Sequence, residues 1–136
     1  MRAMTAATKT VWGLALAAIA GLVLAPSAKA QDIKGDPARG RQVFAACRTC
    51  HYPEKGFGHH NGPSLYGIFG RKSGTQPGFR YYSEMLKRAQ FVWTPELLDA
   101  WLANPDMLPE STMVFVGLPD AQDRADLIAY LAQFRD

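Results

Sequence analysis

Both cysteines of this 136-residue chain fall inside one run of five residues, Cys47-Arg48-Thr49-Cys50-His51. A C-x-x-C-H run reads as the covalent attachment site of a c-type haem. Residues three and four apart share one face of a helical turn, so the two sulfurs and the His51 imidazole reach the same side. One short segment can then hold a macrocycle through two thioethers and supply one axial ligand. Two other chemistries use cysteines at this spacing. A thioredoxin-like redox pair needs a strand before it and a helix after it in an α/β chain, and neither pattern lies nearby. Zinc could recruit Cys47, Cys50 and His59 or His60, but structural zinc takes its ligands from two separated pairs.

Attachment of haem depends on reaching the machinery that performs it, and the first thirty residues bear on this. Arg2 and Lys9 precede an apolar run from Val11 to Leu24, which ends in Ala28-Lys29-Ala30, a small-x-small cleavage pattern. The expectation is a secretory signal peptide over 1–30, a mature domain over 31–136 and a periplasmic location. A retained anchor is the alternative, but the apolar run falls short of the roughly twenty residues that a membrane span requires. Loss of Arg2, Lys9 and Lys29 would cancel the whole formal charge of +3, so the basic pI near 9.0 is no argument for nucleic acid. A domain this small needs a staple besides its core, and a buried haem would be one.

The rest reads as all-α. Asp36 and Pro37 suit the cap and first position of a helix, which should run with its Val43-Phe44 stripe as far as His51. A Gly- and His-rich irregular stretch follows to Gly62, then a short helical turn over Pro63 to Phe69 and a loop over Gly70 to Gly78. Ser83 to Ala89 should be a short helix. A longer one starts at Thr94-Pro95, with Leu97, Leu98, Trp101 and Leu102 at helical spacing, and stops at Asn104-Pro105. Residues 106–119 hold two prolines and no period, and a final helix spans about Asp120 to Phe134. The sixth position of the iron could take Met85, Met107 or Met113, a methionine raising the potential relative to a second histidine. A bis-histidine alternative would draw on His59 or His60.

These segments together resemble the class I c-type cytochromes of the mitochondrial and photosynthetic-bacterial kind. The resemblance rests on Gly35-Asp36-Pro37 through the C-x-x-C-H run, Asn61-Gly62-Pro63-Ser64-Leu65-Tyr66-Gly67, Gly70-Arg71-Lys72-Ser73-Gly74 and Pro77-Gly78-Phe79. It continues through Trp93, Asn104-Pro105, Pro109 to Phe115, and Arg124 to Leu131. It implies a single small domain of three to five helices wrapped around one haem c bound through Cys47 and Cys50. It further implies His51 and Met113 as axial ligands and the Pro63 carbonyl as acceptor for the histidine's second ring nitrogen. Arg71, Trp93, Ser111 and one of Tyr81 or Tyr82, with Tyr82 preferred, complete the cofactor-binding set. Gly40 and Phe44 match residues that pack on Leu127 and Tyr130, and His59 matches a histidine bonded to backbone.

The chain also departs from that pattern. Glu110 stands where a glycine is usual, the loop before Met113 is one residue short, and Trp101 replaces a tyrosine near the ligand sulfur. An indole donates a hydrogen bond but cannot accept one. The expected function is a soluble periplasmic one-electron carrier rather than an enzyme: with both axial positions filled, no substrate reaches the metal. Its partners should be redox proteins, with no nucleic acid, no stable membrane insertion and a monomeric state, docking through a few charges such as Arg48, Lys55 and Lys72 and an apolar patch around Phe57 or Val116. The rivals are a cytochrome dedicated to one periplasmic dehydrogenase and a ligand-binding or peroxidatic haem protein.

Overall fold

The computed structural model describes residues 34–136, so the leader and the boundary at Gln31 lie outside the described residues. Among the described residues four α-helices follow in order, α1 (Pro37–Phe44), α2 (Glu84–Arg88), α3 (Pro95–Ala103) and α4 (Ala121–Leu131). Short 3-10 turns at Cys47–Thr49 and Pro105–Met107 join them. Among the described residues the only β feature is an isolated antiparallel bridge between Lys72 and Val92. No helix among them is long and apolar enough to cross a membrane.

Each helix starts where a side chain can take up a free backbone N–H. The Asp36 carboxylate accepts from Ala38 N at 2.8 Å, Ser83 Oγ from Leu86 N at 3.3 Å, Thr94 Oγ1 from Leu97 N at 3.1 Å and Asp120 from Asp123 N at 2.8 Å. Such a cap contributes about 1 kcal/mol. α1 and α4 pack face to face, Phe44 meeting Tyr130 with ring centroids 5.5 Å apart. A Cβ at Gly40 would come within 2.8 Å of Tyr130 Cβ, so only glycine permits this approach. Beneath the contact the fully buried Asp126 carboxylate accepts from Asp36 N at 2.6 Å and Gln122 Nε2 at 2.8 Å, and pairs with Arg39 Nε at 3.0 Å. Arg124 ties α4 to α3 through Asp99 at 2.8 Å. Phe44, Leu98, Leu102, Leu127, Tyr130 and Leu131 form the buried core where the three helices meet.

Two helical expectations need correction. The element expected to run from Asp36 to His51 breaks after Phe44, where Ala45 N bonds to Gln42 O, three residues back, and the chain tightens. Pro63 to Phe69 forms no helical turn of its own. Ile68 N bonds to Leu65 O and Arg71 N to Ile68 O, two successive turns whose reversals fall at Gly67 and Gly70, with φ of 62° and 86°. The last helix ends at Leu131, and Gln133 and Phe134 close it with three-residue hydrogen bonds. The long helix-free segment is fixed from outside: Gly70 N and Trp93 N bond to Trp93 O and Arg71 O, each at 2.9 Å.

Candidate haem site

The cysteine motif sits on the 3-10 turn after α1. Cys47 O accepts from both Cys50 N at 3.0 Å and His51 N at 2.9 Å, so one carbonyl gathers the motif into a single compact turn. The two sulfurs form no disulfide with each other and are half-buried. Burial and the neighbouring Cys50 raise the Cys47 thiol above its ordinary value.

His51 is buried and held from two sides. Its Nδ1–H donates to Pro63 O at 2.7 Å, which fixes the tautomer and leaves Nε2 with its lone pair. A Cβ at Gly62 would stand within 2.7 Å of both ring nitrogens, so the ring lies flat against bare backbone. Burial lowers the imidazole pKa, against the pull of the Pro63 bond, and so favours the neutral form that can serve a metal. Gly62 N in turn donates to Cys50 O at 2.8 Å, locking the two segments together.

These groups open on a cavity of about 640 Å³, within the roughly 300–1,000 Å³ of sites built for a small organic group. All nine residues singled out from the sequence line it: Cys47, Cys50, His51, Pro63, Arg71, Tyr82, Trp93, Ser111 and Met113. Met85 and Met107 do not. The lining contains Arg71 and Lys72 but no aspartate or glutamate. Arg71 is half-buried and finds no carboxylate among the described residues. Its guanidinium donates to Ser64 O at 3.0 Å and to Tyr66 O, and burial lowers its pKa. Tyr81 and Tyr82 both reach the cavity, but Tyr81 is 79% exposed, whereas burial raises the Tyr82 hydroxyl. Trp101 Nε1 is buried without a hydrogen-bond partner in the cavity wall. Ser111 Oγ accepts from Met113 N at 3.3 Å, bracing the loop that carries the sulfur.

An apolar cavity with cations and no acids, two thiols at its edge and an imidazole presenting a free nitrogen fits a haem with its two carboxylates. The remaining histidines are placed elsewhere. His59 Nδ1 accepts from Ser64 N at 3.0 Å and its Nε2–H donates to Pro77 O at 2.9 Å, so neither ring nitrogen is spare. His60 is exposed and meets Tyr52 edge-on at 5.7 Å. The residue least visible from the sequence is Gly62: its place directly before Pro63 was the only signal, and its role appears once the ring rests on it.

A family model described as Cytochrome c matches residues 37–135. Over 101 residues the chain is 50% identical to a cytochrome c of Chlamydomonas reinhardtii, covering 73% of this chain and 89% of that one. It is 45% identical to a cytochrome c of Ginkgo biloba, again over 101 residues, covering 73% and 88%. With a cytochrome c2 of Rhodomicrobium vannielii it shares 42% identity over 116 residues, 85% of this chain and 91% of that one.

Proposed function

The chain belongs to the cytochrome c family, and from that premise we propose that it is a periplasmic one-electron carrier with His51 and Met113 as axial ligands. Family membership makes it an electron carrier working with redox partners, not an enzyme, and gives it a covalently bound haem c at the C-x-x-C-H motif. Haem c supplies a ferric/ferrous couple that takes up and releases one electron. The protein's residues do the rest. Cys47 and Cys50 hold the group by thioether bonds, and His51 offers Nε2 while Pro63 O keeps its other nitrogen protonated. Met113 offers a thioether sulfur, the softer and weaker donor, which favours the reduced state. Arg71, Tyr82 and Trp93 provide donors for the carboxylates, and the apolar lining disfavours the extra charge of the oxidised state.

The observation that carries this reading is the His51 ring, fixed by Pro63 and Gly62 in a cavity that both thiols and Met113 share. Export is supported by the 85% coverage with the cytochrome c2, which takes that alignment upstream of Gln31 into the segment read as leader. The test compares optical and magnetic spectra of wild type, Met113→Ala and Met107→Ala. Loss of low-spin character in Met113→Ala alone is expected. Loss in Met107→Ala alone, or rapid carbon monoxide binding by the ferrous wild type, would overturn the ligand assignment, the second outcome in favour of a ligand-binding haem protein. An N-terminus at Gln31 on protein isolated from the periplasm is the matching result for export.

A further inference from the structure

The chain holds two asparagines, at 61 and 104. Asparagine is a chemically labile amide: the backbone nitrogen of the next residue can attack its side-chain carbonyl carbon, closing a succinimide ring and expelling ammonia. Asn104 is followed by Pro105, which has no N–H to give up. Asn61 is followed by Gly62, the residue type with no side chain to obstruct the ring and the widest choice of backbone angles. By this route Asn61 is the reactive one.

The fold holds that reaction off. Asn61 is exposed, yet Gly62 is buried, its N–H donating to Cys50 O at 2.8 Å and its carbonyl accepting from His60 N at 3.1 Å. The nitrogen that would attack is committed to another partner, and the glycine cannot turn towards the Asn61 side chain without giving up both bonds. Glycine is required here because a Cβ would run into the His51 ring. The residue that seats His51 is therefore the one that makes its neighbour labile.

We propose that Asn61-Gly62 is a self-modification site gated by this turn: silent in the folded protein, it deamidates once the turn opens and makes the opening permanent. The bond from Gly62 N to Asn61 Cγ forms, the Cγ–Nδ2 bond breaks, and the proton of the attacking nitrogen leaves with the ammonia. Water then opens the ring, so the net change is amide plus water to carboxylic acid plus ammonia, with no oxidation or reduction. Opening at one carbonyl leaves an aspartyl residue. Opening at the other leaves an isoaspartyl link, which routes the main chain through the former side chain and lengthens it by a carbon. The first product puts a carboxylate on a cavity lining that has no aspartate or glutamate, since Asn61 is part of that lining. The second displaces Gly62 and Pro63, on which the His51 ring rests. A chain that has stayed open can then no longer rebuild the site.

The test keeps the haem-loaded protein in mildly alkaline buffer with and without guanidinium chloride. Trypsin cleavage after Lys55 and Arg71 releases a peptide in which Asn61 is the sole side-chain amide. Replacement of NH2 by OH is read in that peptide by mass spectrometry, against a sample digested at time zero. The native protein should react about tenfold or more slowly than the unfolded one, because local opening of a bonded turn sets its rate. After removal of denaturant, the fraction regaining the native low-spin spectrum should fall in step with the modified fraction, whereas Asn61→Gln treated alike should recover throughout. Equal rates in native and unfolded protein overturn the gating, no reaction in either overturns the site, and full spectral recovery of modified chains overturns the permanence. A wild type that is high-spin before any treatment overturns the ligand assignment of the proposed function, while the mass measurement still decides this proposal.

Discussion

Single side chains decide how the iron would be held and tuned. His51 and Pro63 leave little freedom on one side, since the 2.7 Å bond and the glycine beneath the ring fix its plane and tautomer together. A Gly62→Ala substitution drives a methyl into that ring and should broaden or lose the low-spin spectrum, which electron paramagnetic resonance reads directly. On the other side Trp101 carries an indole N–H that is buried without an acceptor, an arrangement that costs about 1–3 kcal/mol if it stays unmet. Met113 lines the same cavity, and a thioether sulfur can accept a hydrogen bond. A hydrogen bond to it would draw density from the ligand and favour the ferrous state. Trp101→Phe should therefore lower the midpoint potential while leaving the protein low-spin, as measured by spectroelectrochemistry; an unchanged potential would mean that the indole finds its acceptor elsewhere.

At the level of elements, the α1–α4 contact holds the attachment turn in place, and Asp126 is its electrostatic centre. The Asp36 N–H, more than any other group, holds the Asp126 carboxyl below the usual carboxylate range. A depressed folded-state pKa means that its stabilisation is complete above the ordinary carboxylate value of about 4 and is lost as pH falls through the lowered one. Urea midpoints of wild type should fall as pH drops from 6 towards 3, and Asp126→Asn should flatten that dependence while lowering the midpoint near neutrality. Phe44→Ala, at the same contact, should cost about 3–5 kcal/mol by denaturation. The sequence made much of this frame legible, because Asp36-Pro37, Thr94-Pro95 and Asp120 are local signals and each does cap a helix. The break after Phe44 was not legible: whether Ala45 N bonds three or four residues back is settled by tertiary packing, with no residue to announce it. Glu110 lies between, since its departure from glycine is plain in the sequence but its left-handed φ of 67° is not. That conformation costs a non-glycine residue roughly 1–2 kcal/mol, so Glu110→Gly should stabilise the Met113 loop modestly.

For the whole molecule, the cavity sets the condition for folding. At about 24 cal/mol per Å³, a void of 640 Å³ would cost about 15 kcal/mol if it stayed dry and empty. That is as large as the roughly 5–15 kcal/mol of net stability of a typical domain, and even half of it would leave little. The core residues Phe44, Leu98, Leu102, Leu127 and Leu131 all border this space, so their packing is completed only by what fills it. Long helix-free segments from Tyr52 to Ser83 and from Leu108 to Asp120 close around the same space and pack Leu65, Phe69, Phe115 and Leu118 against that core. Haem c therefore acts as the largest core residue as well as the redox centre. The Cys47→Ser/Cys50→Ser chain, produced without haem, should lack most of the far-ultraviolet helical signal and unfold without a cooperative transition, whereas the loaded wild type should unfold cooperatively. Native-like helicity and a sharp thermal transition in that haem-free double variant would show that α1, α3 and α4 carry the fold on their own.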